Sequence, residues 1–153
     1  MQVTSGITDL AYSIQLAVAP VFLLSGVGTM LAVLTSRLGR IIDRARSLEA
    51  SLPEAPVSAV AGVKAELRVL SRRARLIHWA ITLSTACALL ICLVIVALFA
   101  GVALGRGLSI LIVILFTLAL AALVGGLVSF LLEIRAATGS LHFDVKPTHG
   151  GER

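Results

Sequence analysis

Three stretches of this chain run for about 25 residues each without an ionised side chain: Leu10 to Ser36, Trp79 to Gly105 and Gly107 to Leu132. A soluble domain breaks its apolar runs every few residues to make a wetted face. Runs this long leave few folds open. At about 1.5 Å per residue each is long enough, as a helix, to cross a hydrocarbon core roughly 30 Å thick. Lipid offers no partner to a free backbone N–H or C=O, so each run must satisfy its own backbone as an α-helix. Composition agrees, with 58% apolar residues, 14% charged residues and a mean hydropathy of +1.04, well beyond what a soluble domain uses. The opening residues MQVTSGITDLAYSIQ lack the basic segment and small-residue cleavage site of a secretory signal, so the first span is expected to stay in the mature protein.

Orientation follows from the cations. Nine of the 13 lysines and arginines lie between Arg37 and Arg75, none precedes the first span, and the turn between spans two and three carries only Arg106. The positive-inside rule places the long loop in the cytoplasm. Odd parity then puts the N-terminus outside and the C-terminus inside, where Arg135 and Lys146 agree with it. The expected layout is an external segment 1–9, transmembrane helices at 10–36, 77–105 and 107–132, a cytoplasmic loop 37–76 and a cytoplasmic tail 133–153.

The loop is too patterned for a tether. Leu38, Ile41, Ala45, Leu48 and Leu52 recur at steps of three and four, with Ile42 beside them and Arg37, Arg40 and Arg44 along one flank. That spacing makes an amphipathic helix. Pro53 and Pro56 break the pattern, after which Val60, Val63, Leu67, Leu70, Ala74 and Ile77 resume it. The loop therefore reads as an antiparallel helical hairpin, each arm continuous with a span. The fold class is an all-α integral membrane protein: three transmembrane helices with a cytoplasmic helical hairpin between spans one and two. From Leu10 to Leu52 one helix would measure roughly 65 Å, with Gly39 its weakest point.

The segments APVFLLSGVGTMLAVLTSRLGRIIDRARSLE, ELRVLSRRARLIHWAI and FLLEIR together resemble the small bacterial membrane proteins of domain-of-unknown-function family 2721, over nearly the whole chain from Ile7 to about Leu141. The resemblance implies a three-span architecture in a bacterial cytoplasmic membrane. It implies no activity, substrate or catalytic residue.

Enzyme chemistry finds no support in the residues, and no cofactor or metal is expected. Cys87 and Cys92 lie about 140° apart round one helix and read as packed thiols rather than ligands. His142, His149 and Asp144 sit in a polar tail. His78 and Trp79 mark the membrane entry of span two. The glycines of SGVGT lie within a span, with no lysine after them to make a phosphate loop. A net charge of +5 with no interleaved stacking aromatics points to anionic lipid or an acidic protein surface rather than to nucleic acid.

Four constellations remain. Gln15, Ala19, Phe22, Gly26, Thr29, Val33 and Ser36 form a seam of small or weakly polar residues on span one, with Phe22 the exception, and the same series runs on through Arg40, Asp43 and Ser47; a seam kept over four heptads favours left-handed supercoiling around neighbours. Pro20 should kink the same helix near Leu16. The seam either lets helices approach closely, within one chain or between copies, or lines a pathway at the axis of a ring of copies, as in an ion channel. Arg37, Arg40 and Arg44 are candidate contacts for anions or lipid headgroups. Glu133 lies at the depth of Arg37 and Arg75, and an interfacial ion pair among them would clamp the helix ends, contributing about 0–1 kcal/mol if exposed. On span three, Ala121, Gly125 and Ser129, with Gly126, form a small-residue packing face. The expected function is that of a homo-oligomeric assembly or adaptor module binding a cytoplasmic protein partner through the hairpin, with a channel and an anionic-lipid-sensing regulator as alternatives.

Overall fold

In the computed structural model, which describes residues 2–54, 56–104 and 108–139, the chain forms three α-helices: α1 (Gln2–Ser51), α2 (Val57–Leu104) and α3 (Ser109–Gly139). Each is long and apolar enough to cross a membrane, and the described residues contain no strand. The first span and the first arm of the loop are one unbroken helix, as are the second arm and the second span. α1 passes through Pro20 without interruption. Pro20 is itself buried, so packing holds the turn that its missing N–H weakens.

The turn between α1 and α2 is set by local chemistry. A short 3-10 helix, Leu52–Glu54, carries Pro53; Ser51 Oγ donates to the Leu48 carbonyl at 2.8 Å, and the Ala59 N–H donates to the Pro56 carbonyl at 2.8 Å to start α2. Within the spans, exposed hydroxyls turn back onto their own helix. Thr29 donates to the Ser25 carbonyl at 3.2 Å, Thr35 to Leu31 at 2.9 Å, Thr85 to Ile81 at 2.9 Å and Thr117 to Val113 at 2.8 Å. A hydroxyl with no water nearby needs such a bond.

The helix–helix contacts centre on α2, which packs extensively against both α1 and α3. The pairs that meet across α1 and α2, Arg44 with Glu66 and Met30 with Ser84, run in opposite senses along the two helices. The inward residues of α1 are Ala17, Pro20, Leu24, Val27, Leu31, Leu34, Leu38, Ile41, Ala45 and Leu48, all buried or half-buried and spaced by alternating threes and fours. α2 answers with Leu67, Leu70, Ala74, Ile77, Ile81, Ser84, Ala88 and Ile91 at the same steps. One apolar cluster joins Leu34, Ile41, Leu70, Ile77 and Ala80, and a second joins Val27, Cys87, Ile91 and Ala119.

α3 packs on a neighbouring face of α2. Its fully covered positions, Ala119, Gly126 and Glu133, are seven apart. A Cβ built on Gly126 would lie 3.1 Å from Ser84 Oγ and 3.4 Å from the Ala80 carbonyl oxygen, and one on Gly125 would lie 3.1 Å from Leu83 Cδ1. The small face of span three therefore serves contact within the chain at Gly125 and Gly126, while Ala121 is exposed.

Candidate functional site

Glu133 stands where the uncharged run of α3 ends, on the same heptad line as Ala119 and Gly126, and the register that buries those two buries the carboxylate as well. It is 0% exposed. A buried carboxylate left unpaired costs several kcal/mol, so its partners decide whether the site is tolerable. Arg73 on α2 donates through Nε at 3.2 Å and Nη2 at 2.9 Å to Oε1. Arg37 on α1 brings Nη1 to 3.4 Å from Oε2, and its guanidinium lies 5.3 Å from the centre of the Phe130 ring. Oε2 receives no hydrogen bond from the protein; Arg37 supplies charge to it rather than a directed bond. One carboxylate thus ties one residue from each helix.

This corrects the expected ion pair in two respects. Glu133 pairs with Arg37 and Arg73, not with Arg75. Residues 73 and 75 are about 200° apart round an α-helix, so with Arg73 turned to Glu133, Arg75 is exposed on another face. The pair is also not a surface pair, because the acid is wholly covered.

Above Glu133 opens a pocket of about 300 Å³ lined by Arg37, Arg40, Ile41, Arg44, Leu70, Arg73 and Glu133. The three arginines of the α1 flank do meet there, but they are not equivalent. Arg37 is held by Glu133. Arg44 binds Glu66 through Nε at 3.1 Å and Nη2 at 2.9 Å. Arg40 is exposed.

The seam on span one lies on the other side of α1. Gln15, Ala19, Phe22, Gly26, Thr29, Val33 and Ser36 are all exposed, and a Cβ on Gly26 or Gly28 would meet nothing within 4 Å. Ala19 and Phe22 border apolar clefts shared with Val94 and Ile95 of α2.

Residues 17–143 match the family described as "Protein of unknown function (DUF2721)". The chain belongs to the DUF2721 family. The matched stretch takes in most of each helix and the whole arginine collar, Arg37, Arg40, Arg44 and Arg73 around Glu133. The chain matches no curated protein and no solved structure.

In this DUF2721 protein the remaining candidates separate cleanly. Cys87 is buried but Cys92 is exposed, so only one of the two thiols is packed. Among the described residues no three His, Cys, Asp or Glu side chains gather into a metal-holding group. His142, Asp144, Lys146 and His149 lie outside the described residues, as does Arg106. Arg73 is the member of the collar that a sequence reading passes over. Its signal is register: it lies one heptad before Ala80, two before Cys87 and three before Val94, all buried. Chemically, the DUF2721 collar offers fixed guanidinium groups beside a neutralised carboxylate, an arrangement that holds helices together and attracts anions.

Proposed function

We propose that this is a non-enzymatic protein of the bacterial cytoplasmic membrane that assembles with further copies of itself through the outer face of α1. It then serves as a membrane-anchored assembly or adaptor module, presenting the charged arms of α1 and α2 to a cytoplasmic protein partner. The observation that carries this reading is the exposed seam. Lipid-facing surfaces of α2 and α3 carry apolar side chains such as Leu89, Leu93, Val113, Leu118 and Val124, whereas between Phe22 and Val33 every large hydrophobic residue of α1 is buried or half-buried. Ser25, Gly26, Gly28, Thr29 and Ala32 are exposed there instead. A helix that shows a small, weakly polar strip to the bilayer fits a partner helix at close approach better than it fits acyl chains.

The particle mass in nanodiscs tests this. More than one chain per particle is expected, and Gly26→Leu with Gly28→Leu should return it to one chain. Both glycines have open space around them, so the double variant should keep its own fold and thermal stability. A monomer from the starting protein would end the proposal.

A second reading draws on the same exposure. If copies ring an axis with the seam inward, Gln15 and Thr29 become polar constrictions, Gly26 a wider point and Arg40 the charge at the cytoplasmic mouth, giving an ion channel that favours anions. Flux through liposomes that Thr29→Leu blocks and Arg40→Glu alters in selectivity would support the channel. An oligomer without flux above empty liposomes leaves the assembly module.

A further inference from the structure

The surface of α2 half a turn away from α1 carries a cationic groove where its charged arm meets the second span. Arg68, Arg72, Arg75 and Trp79 follow one another at steps of four, three and four, and all four are exposed. On an α-helix these positions lie roughly 140–200° round from Leu70, whose side is taken by α1, and the side carrying Arg73 and Ala80 is taken by α3. Among the described residues no carboxylate pairs with Arg68, Arg72 or Arg75, whereas Arg37, Arg44 and Arg73 are each committed to Glu133 or Glu66. The groove encloses about 500 Å³, with Val69 and Leu76 completing its lining. It is therefore amphiphilic: three guanidinium groups toward one end, and apolar walls ending on an indole toward the other.

Its depth is fixed by the collar. Trp79 begins the uncharged run of the second span, and Arg37 and Glu133 border the other two runs. Tryptophan with one polar N–H on an apolar ring belongs at that level, and here it is 55% exposed. Arg68 to Arg75 rise about 10 Å along the helix, against a headgroup layer of roughly 5–8 Å per leaflet. The three side chains thus reach across the whole headgroup layer, with the indole and Leu76 at the start of the acyl chains.

We infer that this face of α2 is a binding site for an anionic glycerophospholipid, its phosphodiester held among Arg68, Arg72 and Arg75 and its acyl chains laid against Leu76 and Trp79. Guanidinium groups take phosphate oxygens in pairs, and charge complementarity selects an anionic over a zwitterionic headgroup. The site differs from the α1 flank, where two of the three arginines are already paired within the chain.

Trp79 is the only tryptophan, so its fluorescence reports on this groove alone. The full chain is reconstituted in phosphatidylcholine vesicles containing a small, equal fraction of either acyl-brominated phosphatidylglycerol or acyl-brominated phosphatidylcholine. Brominated phosphatidylglycerol should quench Trp79 more strongly, corresponding to a severalfold preference. Arg72→Gln and Arg75→Gln should each reduce the preference about fivefold, the usual contribution of one basic residue near an anionic surface, and Arg40→Gln should leave it unchanged. Glycerophosphate added to the buffer should not compete. Equal quenching by the two lipids, a preference that survives Arg72→Gln with Arg75→Gln, or an equal loss in Arg40→Gln would overturn the site. So would competition by glycerophosphate, which would assign the groove to a soluble anion, or an indole quenched by neither lipid, which would mean that protein covers it. The substituted arginines are exposed and have no described acidic partner, so the variants should retain the helical circular dichroism of the starting protein, a control that keeps the quenching interpretable.

Discussion

At the scale of residues, Glu133 and its two arginines show how burial changes the worth of a charge. An exposed pair in the headgroup region contributes about 0–1 kcal/mol, but Glu133 is covered completely, and removal of a partner from a buried acid costs about 3–5 kcal/mol. Arg73 makes two hydrogen bonds to it and Arg37 none by geometry, so the two should not be equal. Arg73→Met is expected to destabilise by about 3 kcal/mol, the low end of that range because Arg37 stays. Arg75→Met, on the exposed far face, should fall within about 0.5 kcal/mol of zero. Thermal unfolding in one detergent measures both, and equal losses would mean that Arg73 does not hold the acid. Part of this was legible in the sequence: Glu133 and Arg37 follow from where uncharged runs end. Choosing between Arg73 and Arg75 requires knowing which face of α2 meets α3, and two arginines two residues apart at one depth do not reveal it.

At the scale of elements, the same limit explains what the heptads conceal. α1 carries two interleaved seven-residue series, one through Pro20, Val27, Leu34 and Ile41 and one through Phe22, Thr29 and Ser36, and only the first is buried. In the arms beyond the membrane, charge against apolar side chains makes the inward face plain, so Leu38, Ile41, Ala45 and Leu48 are readable from sequence alone. Within the bilayer both faces are apolar and the contrast disappears; close packing, rather than escape from water, then decides which face turns inward. Gly126 is one place where that packing is tight. Gly126→Leu would drive a branched side chain into Ser84 and the Ala80 carbonyl, and a loss of about 1–3 kcal/mol is expected, as for an overfilled core. The expected contrast is Gly28→Leu, which meets open space and should leave the unfolding temperature of a single chain unmoved. A Gly126→Leu protein as stable as the starting protein would show that α2 and α3 separate more readily than the contact implies.

At the scale of the whole molecule, helix length and charge together predict an orientation in the membrane. α1 and α2 have 50 and 48 residues and α3 has 31, so the first two measure roughly 70–75 Å and the third about 46 Å, against a hydrocarbon core of about 30 Å. The surplus of α1 and α2 carries nine of the chain's 13 cations, so it is expected to lie in water and, by the positive-inside rule, in the cytoplasm. Single cysteines in a Cys87→Ala, Cys92→Ala background test this in intact bacterial cells with a membrane-impermeant maleimide. Thr4→Cys should be labelled from outside, while Ser58→Cys and Gly150→Cys should label only after the cells are opened. Ser58 and Gly150 are separated by two spans, so they must report the same side whichever way the protein is inserted. Labelling of both from outside would reverse the orientation and leave the span count intact. A split between them would overturn the three-span fold itself, because no arrangement of α2 and α3 as complete crossings returns the chain to the opposite face.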